Sequence, residues 1–279
     1  MDLDALIEQA NNLAPLPLSA ARLASLVVDP DSHLASVTEV ISLDPSLTVR
    51  VLRAANSARL AARSPITNVN DAVIRLGRGT ILSIVVGAAA RKHLQQPVPE
   101  YGLGENALWE HSVAAALVAE TIERTCKVSV PPEAFAAALL HDIGKLVLGR
   151  FLDERTLELL NEAQEHGHLN PLEAEREILK VNHAELGGLV AQKWGLPNSI
   201  VKGITYHHQP EEGDERICDV VCVSNDIAVA TGLVNLPVPR WPEDHSGAFK
   251  RMGLGNDAEV RVADVVKTRF KQVLERFTN

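Results

Sequence analysis

The sequence predicts an all-α fold, a multi-helix bundle with a smaller helical subdomain at its N-terminal side. Apolar residues recur at three- and four-residue spacing, the period of helices buried along one face. Ala, Leu and Val dominate while aromatic residues make up 4%, a mixture suited to close helix packing rather than to strand-rich sandwiches. No stretch reads convincingly as a strand. With 279 residues, 46% of them hydrophobic, the chain can bury a sizeable core, and two domains of ordinary size are expected.

Residues 1–95 read as the N-terminal helical subdomain, a series of short helices broken at Pro, Gly and Asn-Asp positions. Asp44 can cap and Pro45 suits a first turn, so 46–55 is predicted helical with Val49, Leu52 and Ala55 inward. Pro65 and the Asn68–Asp71 stretch separate it from the next helix. Gly77 then precedes a buried helix over 80–94, with Ile81, Ile84, Val85 and Ala88 inward. Residues 95–106, with Pro97, Pro99, Gly102 and Gly104, have the composition of a linker and mark a domain boundary.

A second helical domain is expected over 107–231, with helices over 107–125, 132–148, 153–166, 171–179, 183–194, 197–208 and 216–231. Residues 232–279 read as a loop carrying Pro237, Pro239 and Pro242, then a C-terminal helix over 256–277 packing on the bundle.

A formal charge of −9 argues against whole-surface attraction to nucleic acid or anionic membrane. One local exception runs from Arg50 to Lys92, where Arg50, Arg53, Arg59, Arg63, Arg75, Arg78, Arg91 and Lys92 face the single acid Asp71. Solvated helix faces are the plainer reading of that segment, and nucleic acid is not the expected partner. Cys126, Cys218 and Cys222 lack zinc-finger spacing and read as reduced, buried thiols. The acidic N-terminus does not resemble a secretory signal, and the longest apolar run, 81–90, is too short to span a bilayer. A cytoplasmic protein without a membrane partner is expected.

The second domain carries His111, His141, Asp142, His183, His207, His208 and Asp226, one or two to each predicted helix. A bundle-core metal site needs such a distribution, with imidazoles projecting inward and a carboxylate such as Asp142 able to bridge two cations. A lone histidine on an apolar helix is more commonly a hydrogen-bonded core residue. The pair His141-Asp142 changes that weighting, because it ends the apolar run 134–140 where an unpaired charge is costly to bury. His33, His93, His166, His168 and His245 fall in predicted loops or helix ends and are assigned to solvent. Glu185 points to another helix face than His183 and reads as a salt-bridge partner.

His111, then His141-Asp142, then the distant Asp226 resemble the motif of the HD superfamily. The phrase His141-Asp142-Ile143-Gly144-Lys145, with His183 and His207-His208, is similar to the HD-GYP phosphohydrolase branch. The first half resembles the HDOD family through Leu16-Pro17, Ile41-Ser42-Leu43-Asp44-Pro45-Ser46-Leu47, Arg50-Val51-Leu52, Ala55-Asn56-Ser57 and Ala72-Val73-Ile74-Arg75-Leu76-Gly77. That resemblance spans about 13–231 and implies an N-terminal bundle packed on an HD-like domain. Two departures separate the chain from the enzyme branch: after His207-His208 that branch has an acidic residue and later a Gly-Tyr-Pro phrase, where this chain reads Gln209-Pro210-Glu211-Glu212-Gly213-Asp214, and Ala107 stands where some members place a third-metal glutamate.

The resemblance implies a binuclear divalent centre, with His111, His141, Asp142 and Asp226 on one cation and His183, His207, His208 and bridging Asp142 on the other. Iron or manganese suits this donor mixture, with zinc as the alternative. Two such cations activate water and clamp phosphoryl oxygens, so Asp142 and Lys145 become the candidate catalytic residues. A surface lysine capping its own helix is the equal alternative for Lys145. HDOD proteins often lack the ligands and are regarded as regulatory output modules. A signalling module with a retained metal site and a regulatory protein partner, with a nucleotide or phosphoester as a further ligand, is therefore the first expectation, and a metal-dependent phosphohydrolase acting on a nucleotide or cyclic nucleotide is the second.

Overall fold

The computed structural model of the chain describes residues 13–56, 65–237, 244–255 and 257–278. Arg59, Arg63, Pro239, Pro242 and the first helical residues expected near the N-terminus lie outside them. Helices dominate the described residues, and the extended structure among them is an isolated bridge between Val98 and Leu103.

The N-terminal part contains α1 (Leu18–Val28), α2 (Leu34–Ser42), α3 (Pro45–Ala55), α4 (Val69–Leu76) and α5 (Arg78–Leu94). Asp44 starts α3 as expected: one carboxylate oxygen accepts from the backbone N–H groups of Ser46 at 2.9 Å and Leu47 at 3.2 Å. The inward face differs from the expectation. Leu47, Val51, Ala54 and Ala55 are buried, Leu52 is half-buried and Val49 is exposed: the buried stripe follows the i, i+4, i+7, i+8 spacing from Leu47, and Val49 lies two residues from Leu47 on another face. Asn68 caps α4, and Gly77, at φ 77°, makes the corner that sends α5 off at 105°. Ile81, Ile84 and Val85 are buried along α5, while Ala88 is half-buried.

The second part contains α6 (Ala107–Cys126), α7 (Ala134–Leu140), α8 (Lys145–Leu148), α9 (Glu154–Glu165), α10 (Pro171–Leu179), α11 (His183–Lys193), α12 (Asn198–Thr205), α13 (Pro210–Gly213), α14 (Arg216–Ala230), α15 (Ser246–Met252) and α16 (Ala258–Thr278). Helices α6, α7, α12 and α14 pack on one another around the site, α11 packs on α12, and α5 packs on α7. One apolar core runs from Leu13 to Val273 through both parts. Among the described residues, no single helix is long and apolar enough to cross a membrane.

Three local expectations are corrected. The helix predicted over 132–148 stops at Leu140, and residues 141–144 form a turn before α8. Its backbone bonds run three residues back, Ile143 to Leu140 and Lys145 to Asp142, tightening the chain as His141 and Asp142 enter the core. The helix predicted to 208 ends at Thr205, leaving His207 and His208 in the turn before Pro210. The loop expected after 232 contains α15.

The linker-like 95–106 is an ordered loop whose ends are tied by Asn106 N–H to the Gln95 carbonyl at 3.1 Å and by Gln95 Nε2 to Asn106 Oδ1 at 2.9 Å. Of the cysteines, Cys218 and Cys222 are buried and Cys126 half-buried, and all are free thiols. Burial, followed by the nearby Glu215 charge, pushes the Cys218 thiol up to about 12, which makes it inert at neutral pH.

Candidate metal centre

Four helical elements deliver the site. His111 projects from the second turn of α6, His141 and Asp142 from the turn after α7, His183 from the first residue of α11, and His207 and His208 from the turn after α12. All but the half-exposed His208 are buried. Asn182 caps α11 by accepting from Glu185 N–H at 2.8 Å, and Glu185 answers by accepting from Asn182 N–H at 3.0 Å. That capping box sets His183 at the helix start, while Glu185 itself pairs outward with Arg176 at 3.1 Å.

Close backbone approach makes the arrangement compact. A side chain at Gly144 would run into the carbonyl oxygen of His183 and lie 2.6 Å from the Gly187 nitrogen, so only glycine lets the His141-Asp142 turn sit against α11.

The imidazoles are oriented by what holds their far nitrogens. His141 Nδ1 lies 2.8 Å from the Ala138 carbonyl, His207 Nδ1 2.7 Å from the Ile204 carbonyl and His183 Nδ1 2.8 Å from a Glu175 carboxylate oxygen. Each acceptor keeps the proton on Nδ1 and leaves the Nε2 lone pair facing the centre. Burial, then the neighbouring His141, holds His111 down to about 3, and burial, then His208, holds His207 well below the usual range, so both are neutral at pH 7. Neutral imidazole is the ligating form.

Donor atoms converge in two lobes that share Asp142. On one side His111 Nε2 and His141 Nε2 are 3.2 Å apart and lie 3.7 and 3.3 Å from Asp142 Oδ2. On the other, His183 Nε2 lies 3.1 Å from His208 Nε2 and 3.4 Å from Asp142 Oδ1, with His207 Nε2 3.8 Å from the same oxygen. Burial alone would raise the Asp142 carboxyl; Lys145, then His141, outweigh it and keep the group ionised, well below the usual carboxylate range. Lys145 Nζ donates to Asp142 Oδ2 at 2.7 Å and sits over the Tyr101 ring at 5.7 Å, so it belongs to the centre rather than capping its own helix.

Asp142 Oδ1 and His207 Nε2 are buried without a hydrogen-bond partner. Two lone-pair atoms aimed at one point, with no donor between them, are costly unless a cation joins them. The residues fit a divalent metal.

The HDOD domain family profile matches residues 13–210, well over half of the sequence. This chain belongs to the HDOD family. It is similar over 99% of its length to an HDOD domain protein of unknown function from Geobacter sulfurreducens, covering 98% of that chain at 23% identity and a TM-score of 0.68. A candidate phosphohydrolase from Shewanella amazonensis SB2B covers 98% of the HDOD chain and is covered over 97%, at 26% identity and a TM-score of 0.66. An uncharacterized protein of Treponema pallidum (strain Nichols) is 24% identical over 230 residues, and the chain spans 44% of that relative's length.

Within this HDOD chain one expected ligand is elsewhere. Asp226 does not enter the His111 lobe: its carboxylate pairs with His245 Nδ1 at 2.8 Å, and Cys222 lies within reach of the same pair. Its neighbour Asn225 enters instead, Oδ1 standing 3.0 Å from His111 Nε2. Adjacent helical residues point about 100° apart, and spacing along α14 alone does not say which faces inward. His245 is therefore not a solvent residue, and neither is His93, half-buried against Trp194 at 6.2 Å between rings. His33, His166 and His168 are exposed as expected.

Two supporting residues escaped the sequence reading. Glu175 is buried, accepts from the His183 backbone N–H at 2.8 Å as well as from its ring, and takes a third bond from the Tyr101 hydroxyl at 2.8 Å. Burial opposes its ionisation, yet His183 outweighs it and lowers the carboxyl. Burial, then Glu175, pushes the Tyr101 phenol well up, so it remains a donor. The available signal for Glu175 was its register: it stands three residues after Leu172 and four before Leu179, on the apolar face of a helix whose other charges, Glu173, Arg176 and Glu177, lie off that face. Tyr101 sat in apparent linker and gave none.

Proposed function

We propose that this HDOD chain is a signalling module that holds a divalent metal in its bundle and presents the metal-tied surface to a regulatory protein partner. The observation carrying it is the partnerless pair of buried atoms, Asp142 Oδ1 and His207 Nε2, facing His183 and His208. A cation there joins the turn after α7, the start of α11 and the turn after α12, three elements distant in sequence. Metal binding to the folded state alone would stabilise it by about 2.7 kcal/mol at a hundredfold excess over Kd. Iron or manganese suits the imidazole and carboxylate donors, with zinc the alternative.

A second reading, a metal-dependent phosphohydrolase acting on a nucleotide or cyclic nucleotide, is supported by Lys145 beside the carboxylate and by the half-exposed His208. The candidate phosphohydrolase from Shewanella amazonensis agrees with it at the level of family chemistry. A metal in such a site supplies Lewis acidity and an activated water. Asp142 would position the donor set, and Lys145 would face the charge developing on a phosphoryl oxygen.

Elemental analysis of protein purified without chelators or an affinity metal, wild type against Asp142→Ala, tests the metal. Metal present in wild type and lost in the variant supports the proposal, and none in either removes it. Metal-dependent turnover in a screen of nucleotides and phosphodiesters, abolished by Asp142→Ala, would replace the regulatory reading with the enzymatic one.

A further inference from the structure

The two lobes have similar spacing but different proton inventories. His141, His183 and His207 each park their N–H on an acceptor away from the centre, whereas His111 Nδ1 is buried with no partner. At its other nitrogen, two acceptors are in range: Asn225 Oδ1 at 3.0 Å and the His141 Nε2 lone pair at 3.2 Å. A neutral imidazole carries one N–H, and at His111 that proton finds acceptors at Nε2, the atom a metal would need. Ligation would drive the proton onto a buried, unpartnered Nδ1, at the cost of an unsatisfied donor.

Charge adds to the difference. The α14 residue reaching this lobe is a neutral carboxamide, and the carboxylate oxygen on this side, Asp142 Oδ2, already accepts from Lys145 Nζ at 2.7 Å. The first lobe thus closes on itself through hydrogen bonds. In the second lobe His183 Nε2 meets His208 Nε2 at 3.1 Å, but Asp142 Oδ1 and the Nε2 lone pair of His207 face inward with no donor at all. There the anionic charge and the open lone pairs coincide.

Resting on the reading that the chain binds metal, we infer that the centre is unequal. A single cation is held by Asp142 Oδ1, His183, His207 and His208, while the His111–His141–Asn225 lobe is already hydrogen-bonded at His111 Nε2 and takes a second cation only weakly. This departs from the binuclear centre that the motif resemblance implies, and it gives the chain a metal-stapled turn cluster rather than a two-cation clamp.

Titration of metal-stripped full chain with Mn²⁺, followed by elemental analysis and electron paramagnetic resonance, tests the inference. One tight equivalent with an uncoupled single-ion spectrum is expected. His183→Ala and His207→Ala should lose it, His111→Ala should retain it, and Asn225→Asp should strengthen the second site about tenfold by adding an anionic ligand. Two equivalents of like affinity with a spin-coupled spectrum in wild type would overturn the inference while leaving metal binding intact, and so would loss of the tight equivalent in folded His111→Ala. Absence of any bound Mn²⁺ would take down the metal reading itself. The wild-type stoichiometry decides without any variant, so a substitution that fails to fold does not leave the question open.

Discussion

The buried carboxylate of Glu175 works through His183: it holds the ring's N–H and its backbone N–H, and Tyr101 holds it in turn. Glu175→Gln keeps the shape but removes the charge that makes His183 a better donor, and metal affinity should fall about 10–100-fold. Equilibrium dialysis against Mn²⁺ checks it, with Tyr101→Phe expected to fall less. A second residue-scale prediction concerns the cap of α3. Asp44→Ala should cost about 1 kcal/mol at neutral pH in denaturant unfolding. The Asp44 carboxyl is lowered in the folded state, chiefly by the Ser46 hydroxyl. Its contribution is thus present above the unfolded carboxyl value and lost as pH falls through the folded one, so the two unfolding curves should converge in acid.

At the scale of elements, the centre depends on three chain segments meeting with little room between backbones. Gly144→Ala would force the His141-Asp142 turn away from α11, because the added methyl meets the His183 carbonyl and the Gly187 nitrogen. The expected loss is about 1–3 kcal/mol of stability, together with weaker metal binding, measurable by thermal unfolding with and without metal. A variant with wild-type melting and wild-type affinity would show that the two segments are not held as closely as described. The helices themselves were legible from capping and period: Asp44, Asn68, Asn170 and Asn182 all cap where a short polar side chain precedes an apolar-periodic run. The breaks at 141–144 and after Thr205 were not, because a tight turn with right-handed backbone leaves the helical spacing of apolar residues almost unchanged.

Over the whole molecule, α16 returns to lie on α6 and is anchored there by Arg269, which donates to Glu120 at 2.7 Å and to the Thr121 hydroxyl at 3.2 Å. Arg269 is buried, whereas Glu120 is half-buried and also pairs with Arg124 at 3.2 Å, so the carboxylate keeps one partner once Arg269 is gone. Arg269→Leu should destabilise the fold by about 1–3 kcal/mol, the cost of leaving the buried Thr121 hydroxyl and one side of Glu120 without their donor. Restoring neutrality with Glu120→Gln in the same chain should recover part of that loss, a coupling readable from a double-mutant cycle in urea. If the two substitutions simply add, the pair does not anchor α16.

The fold class, the family and most of the donor set were determined by the sequence alone. Helical period survives in a one-dimensional string, and so do buried histidines that interrupt apolar runs, since an ionisable group in such a place needs a partner wherever the chain goes. Which α14 residue reaches His111 was decided only in three dimensions: neighbouring positions differ by about 100° of rotation, and only the packed bundle selects Asn225 over Asp226. The support behind His183 was equally a matter of tertiary structure, because Tyr101 comes to Glu175 across 74 residues of chain. So was the placement of protons, which follows from the acceptor each imidazole finds at its far side and divides one apparent motif into two unlike halves.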